Sequence, residues 1–550
     1  MLNLNLNEKR IVALYIIIML LSGFIFFKLY AISISDYTKV FPALTGQYTR
    51  KLNVAERRGF IFDRNNNIIA GFDDAFNCIV DPSKISKDSD ISKIPEEALQ
   101  KISEGKPFII KINVNINNEF MSSFQVYKRY ESLNPPALHI TGYVDKSGSG
   151  VGGIEEVYND FLKYQTSAKI DAVYDSDALF QSFGGSPVKI IDYNSYNKKT
   201  GMALTLDINL QKKAEEIADK YLSKGAIIIA SAQTGEILAC VSRPVYSLEN
   251  ISDFIESENG EFINRAFSSF TPGSVFKTIV AAAALEENAD YYNKEYDCKG
   301  EIDAGGKIFK CHKRTGHGVL TMCEAYAQSC NTYFMNLALE TGYDKIYAAA
   351  KKLGIGEKIF LDGFSVKCGN IPDIKNPPPA FIANTAIGQG ELLITPLEAA
   401  RIFCCIANGG VMPELSLLKS FIFDNKISDM RNYASKKVLS DYTVRCLLEM
   451  TQACVDRGTG IAAKPDYKTA GGKTSSAESG QYLYTEDGEK VQVVHSWFSG
   501  YYPAKTPENQ FDLKQNIYAI SIIAEGGVTD NVRATAVFKE ICDYLFEADY

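Results

Sequence analysis

Two hydrophobic patterns divide this chain. Residues 11–27 read IVALYIIIMLLSGFIFF without a charge, and the run resumes past Lys28 as Leu29, Tyr30, Ala31 and Ile32. About 20 apolar residues span a bilayer core of roughly 30 Å, and a lysine near the end of such a run can snorkel to the interface. Lys9 and Arg10 precede the run, which places the N-terminus on the cytoplasmic side. A cleaved signal peptide and a buried core helix are the competing readings. Small residues do stand near Ala31-Ile32-Ser33, but the run exceeds the usual signal core. No later stretch is long and apolar enough to span, so one pass is expected.

Beyond the run the periods are those of soluble elements. Residues 33–200 are mixed and polar, with short β-like runs such as Phe108-Ile109-Ile110-Lys111-Ile112, interrupted by the turn-rich SGSGVGG (147–153) and FGGSP (183–187). Near residue 201 the texture changes. Residues 202–222 predict a strand and then an amphipathic helix, and 225–242 a hairpin around Gln233-Thr234-Gly235. Helical patterns dominate 274–288, 319–352 and 395–407, and strand patterns return at 493–502 and 517–525. Strands at both ends with helices between predict an α+β domain whose sheet is completed by both ends of the segment. No repeat or low-complexity tract interrupts this.

Composition narrows the chemistry. The 58 Lys and Arg against 66 Asp and Glu give a net charge of −8, without the basic footprint of a general nucleic-acid binder. Only four histidines occur, His139, His312, His317 and His495, so proton chemistry is expected to use another residue type. The twelve cysteines lack the dense spacing of a disulfide scaffold. Cys298 and Cys311 can be imagined as a pair. With His312 and His317 they also loosely resemble a zinc-ligand cluster, though the spacing fits no closed motif well. Plain buried thiols are the preferred reading, and no metal is assigned.

Three motifs carry candidate chemistry. Thr271-Pro272-Gly273-Ser274-Val275-Phe276-Lys277 precedes the helical run TIVAAAALEE, with Thr271 suited to an N-cap and Pro272 to the first helical position. Ser274 then falls in a first turn that favours negative charge. Lys277 lies three residues on, on the same face, where a neutral amine can take the serine proton. The tetrad alone is weak, because Ser-x-x-Lys recurs at Ser103, Ser186, Ser195 and Ser416 without the Pro-Gly start. Ser329-Cys330-Asn331 lies between two helical runs; a cap or turn is its bland alternative. The third motif runs from Gly471 to Glu478, GGKTSSAE. Its small residues on a strand edge let a substrate backbone approach, and Lys473 and Thr474 can hold a carboxylate. Lys468-Thr469 competes upstream but lacks the glycine pair.

S-x-x-K, an S-x-N element and K-T-G form the set of β-lactamases and penicillin-binding proteins, and here they occur in that order. The chain closely resembles a class B penicillin-binding protein of the penicillin-binding protein 2 and cell-division transpeptidase type. Further segments are similar to family motifs. They are Arg58-Gly59-Phe60-Ile61-Phe62-Asp63-Arg64; Gly153-Ile154-Glu155 with Tyr158 and Leu162; Asn264-Arg265-Ala266; Gly388-Gln389-Gly390 with Thr395-Pro396; and Trp497-Phe498-Ser499-Gly500-Tyr501.

The resemblance implies a peptidoglycan D,D-transpeptidase that releases D-alanine through an acyl-serine and is inhibited by β-lactams. It implies a cytoplasmic N-terminus (1–10), a transmembrane anchor (11–32), a β-rich, dimerisation-like pedestal (33–200) and a transpeptidase domain (201–550). The last has the serine β-lactamase-like fold, a five-stranded antiparallel sheet flanked by helices with an all-helical part beside it. Ser274 is then the nucleophile, Lys277 its base, Ser329 the proton relay to the leaving nitrogen, and Asn331 the ligand of the donor amide. Lys473 and Thr474, with Ser475 and Ser476 on the same strand, bind substrate, and Lys473 helps keep Lys277 neutral. The N–H groups of Ser274 and Ser476 form the oxyanion hole. No organic cofactor or catalytic metal is implied, and a SEDS-type polymerase is the expected partner.

Two features depart from the family: Ser475 stands where glycine is usual, and VTDNVRATAVF (528–538) fits the usual C-terminal pattern poorly. The rival readings are a D,D-carboxypeptidase or β-lactamase, for which Glu478 is the nearby carboxylate, and, outside enzymes, a β-lactam sensor or an inactive scaffold. A sensor carries further spans and a cytoplasmic domain, whereas ten residues precede the apolar run. A scaffold is expected to have lost a catalytic side chain, and all are present.

Overall fold

The computed structural model describes residues 6–34, 49–175, 188–423, 426–429, 435–484, 490–504, 516–527 and 532–550. The FGGSP turn and the start of the VTDNVRATAVF segment lie outside them. The apolar run forms one helix, α1 (Leu6–Ile34). Within it Arg10–Tyr30 is the one span among the described residues long and apolar enough to cross a membrane.

The chain forms two compact units. The first takes residues 1–57, 73–128 and 167–197. It contains two three-stranded sheets, one of them built on the Phe108–Ile112 strand expected from the sequence. Cys78, Val80, Ile110 and Met121 are buried in one of its cores.

The second unit takes residues 58–72, 129–166 and 198–550. The division therefore does not fall at residue 200. Residues 58–72, 129–166 and 198–200 from the range expected as pedestal belong to the second unit, and strand pairing shows why for the first of them. Phe60–Phe62 runs parallel to Gly201–Leu204, which continues the sheet through Leu418–Phe423. Helix α2 (Ile208–Tyr221) follows, capped by Asp207, whose carboxylate accepts from the N–H groups of Asn209 and Leu210.

The main sheet is the expected five-stranded antiparallel one. Its strands are β1 (Gly225–Ser231), β2 (Ile237–Arg243), β3 (Gly471–Tyr484), β4 (Lys490–Tyr502) and β5 (Tyr518–Gly527), in the order β2-β1-β5-β4-β3. The N-terminal hairpin and the C-terminal strands thus close one sheet. Alternation along β1 sorts its side chains between two cores. Ile227 and Ile229 join the core with α2 residues, whereas Ile228 and Ala230 join the larger core. The helical part is built on α3 (Lys277–Glu287), where every side chain from Lys277 to Leu285 is buried. That explains why TIVAAAAL lacks a polar face: it is a central helix. The helices α4 (Met322–Ala327), α5 (Asn331–Thr341), α6 (Pro396–Ala407) and α7 (Asp441–Arg457) belong to this part, together with Tyr343–Lys352 and Pro379–Ala386.

Candidate active site

Ser274 sits at the entry to α3, in a turn of 3-10 helix at Gly273–Phe276. The expected Thr271 cap and Pro272 start are not what the chain forms. Pro272 precedes the turn and makes no side-chain cap, and the Thr271 carbonyl accepts from Trp497 Nε1 at 3.1 Å. Gly273 has φ +54°, and its N–H donates to the Gly388 carbonyl at 3.0 Å. A Cβ on Gly388 would lie 2.0 Å from the Gly273 carbonyl oxygen. Gly388 therefore allows two backbones to touch next to Ser274, a role that sequence left unassigned.

Ser274, Lys277, Ser329 and Asn331 form one hydrogen-bonded chain. Ser329 Oγ donates to Ser274 Oγ at 3.1 Å. Lys277 Nζ lies 2.7 Å from the Ser329 carbonyl oxygen, 2.6 Å from Asn331 Oδ1 and 3.2 Å from Ser329 Oγ. The first two partners only accept, so they use two N–H bonds. The third is the Ser329 hydroxyl, whose single proton goes either to Ser274 Oγ, as here, or into the lone pair of a neutral amine. Burial, and then the positive charge of Lys473, hold the Lys277 amine well below the usual lysine range. Ser329 has φ +53°, a left-handed conformation uncommon outside glycine. Strain of that kind concentrates at functional sites.

The third motif lies on β3, an edge strand of the main sheet. Lys473 is fully buried, and burial lowers its pKa; its Nζ donates to the Thr474 carbonyl at 3.0 Å. Thr474 Oγ1 is 2.6 Å from Thr459 Oγ1. Ser475 is buried and its Oγ accepts the Ser274 N–H at 2.7 Å. Ser476 is exposed on the other face of the strand. The glycine pair also has a use within the sheet itself. A Cβ on Gly471 would lie 2.4 Å from the Tyr501 ring, and one on Gly472 2.5 Å from the Phe498 ring. The glycines admit β4 aromatics. Glu478 is exposed and accepts from Gln492 Nε2.

A sulfur-rich cluster adjoins the second motif. Ligand atoms of Cys298, Cys311, His317 and Cys330 all lie within 4.8 Å of one another. His317 Nδ1 is 3.5 Å from Cys298 Sγ and 3.6 Å from Cys311 Sγ, which is 3.9 Å from Cys330 Sγ. A tetrahedral zinc, with Zn–S about 2.3 Å and Zn–N about 2.0 Å, sets ligand separations of roughly 3.5–3.8 Å. The set thus suits zinc, with Cys330 in place of the His312 considered from sequence. Burial favours the neutral imidazole of His317 that a metal needs. Thr332 Oγ1 donates to Cys298 Sγ at 3.0 Å. All twelve cysteines are free thiols, so Cys298 and Cys311 are not paired. The signal for Cys330 was a third cysteine between Ser329 and Asn331.

Residues 225–516 match the family model of the penicillin-binding protein transpeptidase domain. The chain belongs to the penicillin-binding protein family. This class B penicillin-binding protein is similar to stage V sporulation protein D of Bacillus subtilis, with 29% identity over 84% of this chain and 74% of that one. It is similar to the peptidoglycan D,D-transpeptidase MrdA of Haemophilus influenzae, with 22% identity over 98% of this chain and 92% of that one. Among solved structures, its fold resembles penicillin-binding protein 2 of Helicobacter pylori, solved in complex with MreC (TM-score 0.65, 22% identity, 91% of this chain and 100% of that one). In this penicillin-binding protein, the segments resembling family motifs outside the site hold the unit together. Glu155 is buried between Arg58 and Arg129, and Asp63 accepts the N–H groups of Asn65 and Asn67.

Proposed function

We propose that this penicillin-binding protein cross-links peptidoglycan stem peptides as a D,D-transpeptidase acylated on Ser274. The hydrogen-bonded chain Ser274–Ser329–Lys277–Asn331, beside the strand bearing Lys473, carries the reading. Ser274 Oγ attacks the carbonyl carbon of the D-Ala-D-Ala bond, and its proton passes over the Ser329 hydroxyl to the neutral Lys277 amine. The N–H groups of Ser274 and Ser476 hold the oxyanion. The C–N bond then breaks, and the proton returns through Ser329 to the departing D-alanine nitrogen. The amine of a neighbouring stem peptide attacks the ester carbon, gives up its proton along the same path, and restores the Ser274 hydroxyl as the cross-link forms. Asn331 holds the donor amide, and Lys473 and Thr474 receive the terminal carboxylate. A β-lactam follows the first half of this route and stays on Ser274.

The chain is read as a single-pass membrane protein on the one helix among the described residues that is long and apolar enough to span. Lys9 and Arg10 support a cytoplasmic N-terminus with both units outside. A SEDS-type polymerase supplies the glycan strands. The fold likeness to a chain of a structure described as "Structural coordination of polymerization and crosslinking by a peptidoglycan synthase complex" supports a polymerising partner (TM-score 0.69, 22% identity, 97% of both chains).

Labelled penicillin tests the assignment. Intact mass is expected to show one adduct per chain, and Ser274→Ala to abolish it. Labelling that survives the substitution rejects Ser274 as the nucleophile.

A further inference from the structure

Ser475 reaches the oxyanion donor of the nucleophile. Along β3 the side chains of Lys473, Ser475 and Ala477 share one face, and all three are buried. That face meets the nucleophile turn. A Cβ built on Gly273 would lie 2.2 Å from Ser475 Oγ and 3.1 Å from Ala477 Cβ. Opposite Ser475 in the register stands Trp497, whose indole N–H is bonded to Thr271 just before the turn. Strand and turn are thus held together, and Ser475 Oγ accepts the Ser274 N–H at 2.7 Å.

An oxyanion hole works because its donors are aimed at charge that develops during the reaction and need no rearrangement at that moment. Here one of the two proposed donors is already satisfied by an uncharged hydroxyl. We infer that the Ser475 hydroxyl caps the Ser274 oxyanion donor in the free enzyme, and that it must swing away before a carbonyl can be attacked there. This rests on the transpeptidase reading above. Ser475 is then a positioning residue that slows acylation: the oxyanion gains the N–H only after the Ser274–Ser475 hydrogen bond is lost. The cost is of the size of one net hydrogen bond, about three- to tenfold in rate.

The test uses the full-length protein in detergent and the rate constant for acylation by a fluorescent penicillin. Ser475→Ala keeps the Cβ and removes the oxygen, and is expected to acylate about three- to tenfold faster. Ser475→Gly is expected to do at least as well, while Ser475→Thr, which keeps the oxygen, stays at the parent rate or below. A boronic acid that forms a tetrahedral adduct on Ser274 is expected to bind Ser475→Ala more tightly by a similar factor, a change that loosened packing alone would not give. An alanine variant with an unshifted thermal transition that acylates no faster overturns the inference. If that variant is unstable, Ser475→Gly decides by the same criterion. Failure of the transpeptidase reading looks different, since the parent protein itself would then take no label on Ser274.

Discussion

At the scale of the residue, the proposed base is the residue whose behaviour most needs a cause. Lys277 can take a proton only while neutral, and burial lowers its pKa first, the charge of Lys473 second. The sign follows directly. Acylation should fall as the pH drops through the lowered Lys277 pKa. Lys473→Ala removes a like charge, so the Lys277 pKa rises and the acid limb moves to higher pH. The pH profile of penicillin acylation checks this, and an unmoved limb in Lys473→Ala would count against the coupling. Lys277→Ala should cost on the order of 10²- to 10⁴-fold at every pH, the usual worth of a general base. These side chains were legible in the sequence because each motif is local: Ser274 with Lys277, Ser329 with Asn331, Lys473 with Thr474. The order of bonds among them was not. Ser329 standing between Ser274 and Lys277, and Ser475 reaching Ser274, depend on a helix, a loop and a strand meeting.

At the scale of the element, the loop bearing Ser329 and Asn331 is tied down by its middle residue. Cys330 is buried against Cys311, and Cys311 and Cys298 both face His317. These cysteines sit beside short strands: Cys298 ends Tyr296–Cys298, and Cys311 follows Ile308–Lys310. Such two-stranded pieces are marginal by themselves, so a metal would anchor them and the loop together. Purified protein is expected to contain about one zinc per chain. Cys298→Ser should release it, lower the thermal transition and slow acylation through the strained Ser329. Elemental analysis with no bound metal would leave these as plain thiols. Sequence pointed to this region but grouped His312 with Cys298, Cys311 and His317, because His312 is adjacent to Cys311 in the chain whereas Cys330 arrives only through the fold. The glycines of β3 teach the same lesson. Their smallness was legible, but the rings of Tyr501 and Phe498 that require it come from the neighbouring strand.

At the scale of the molecule, the second unit gathers its parts from across the chain. The sheet of the transpeptidase domain could be foreseen, since amphipathic helices and alternating strands announce themselves within a short window. Where the chain divides could not, because parallel pairing of Phe60–Phe62 with Gly201–Leu204 leaves no local mark. Glu155 shows what this organisation costs to break. Its fully buried carboxylate takes one guanidinium on each oxygen, Arg58 on Oε2 and Arg129 on Oε1, and Tyr130 also donates to it. Removing one member of such a set leaves buried charge without its partner, which costs about 3–5 kcal/mol. Glu155→Ala should therefore lower the urea midpoint for loss of penicillin labelling. The Asp74–Lys111 pair in the other unit is largely exposed at the lysine, and exposed pairs contribute about 0–1 kcal/mol. Asp74→Ala should leave the midpoint almost unchanged. Equal effects of the two substitutions would mean that burial of the Glu155 cluster is not what makes it matter.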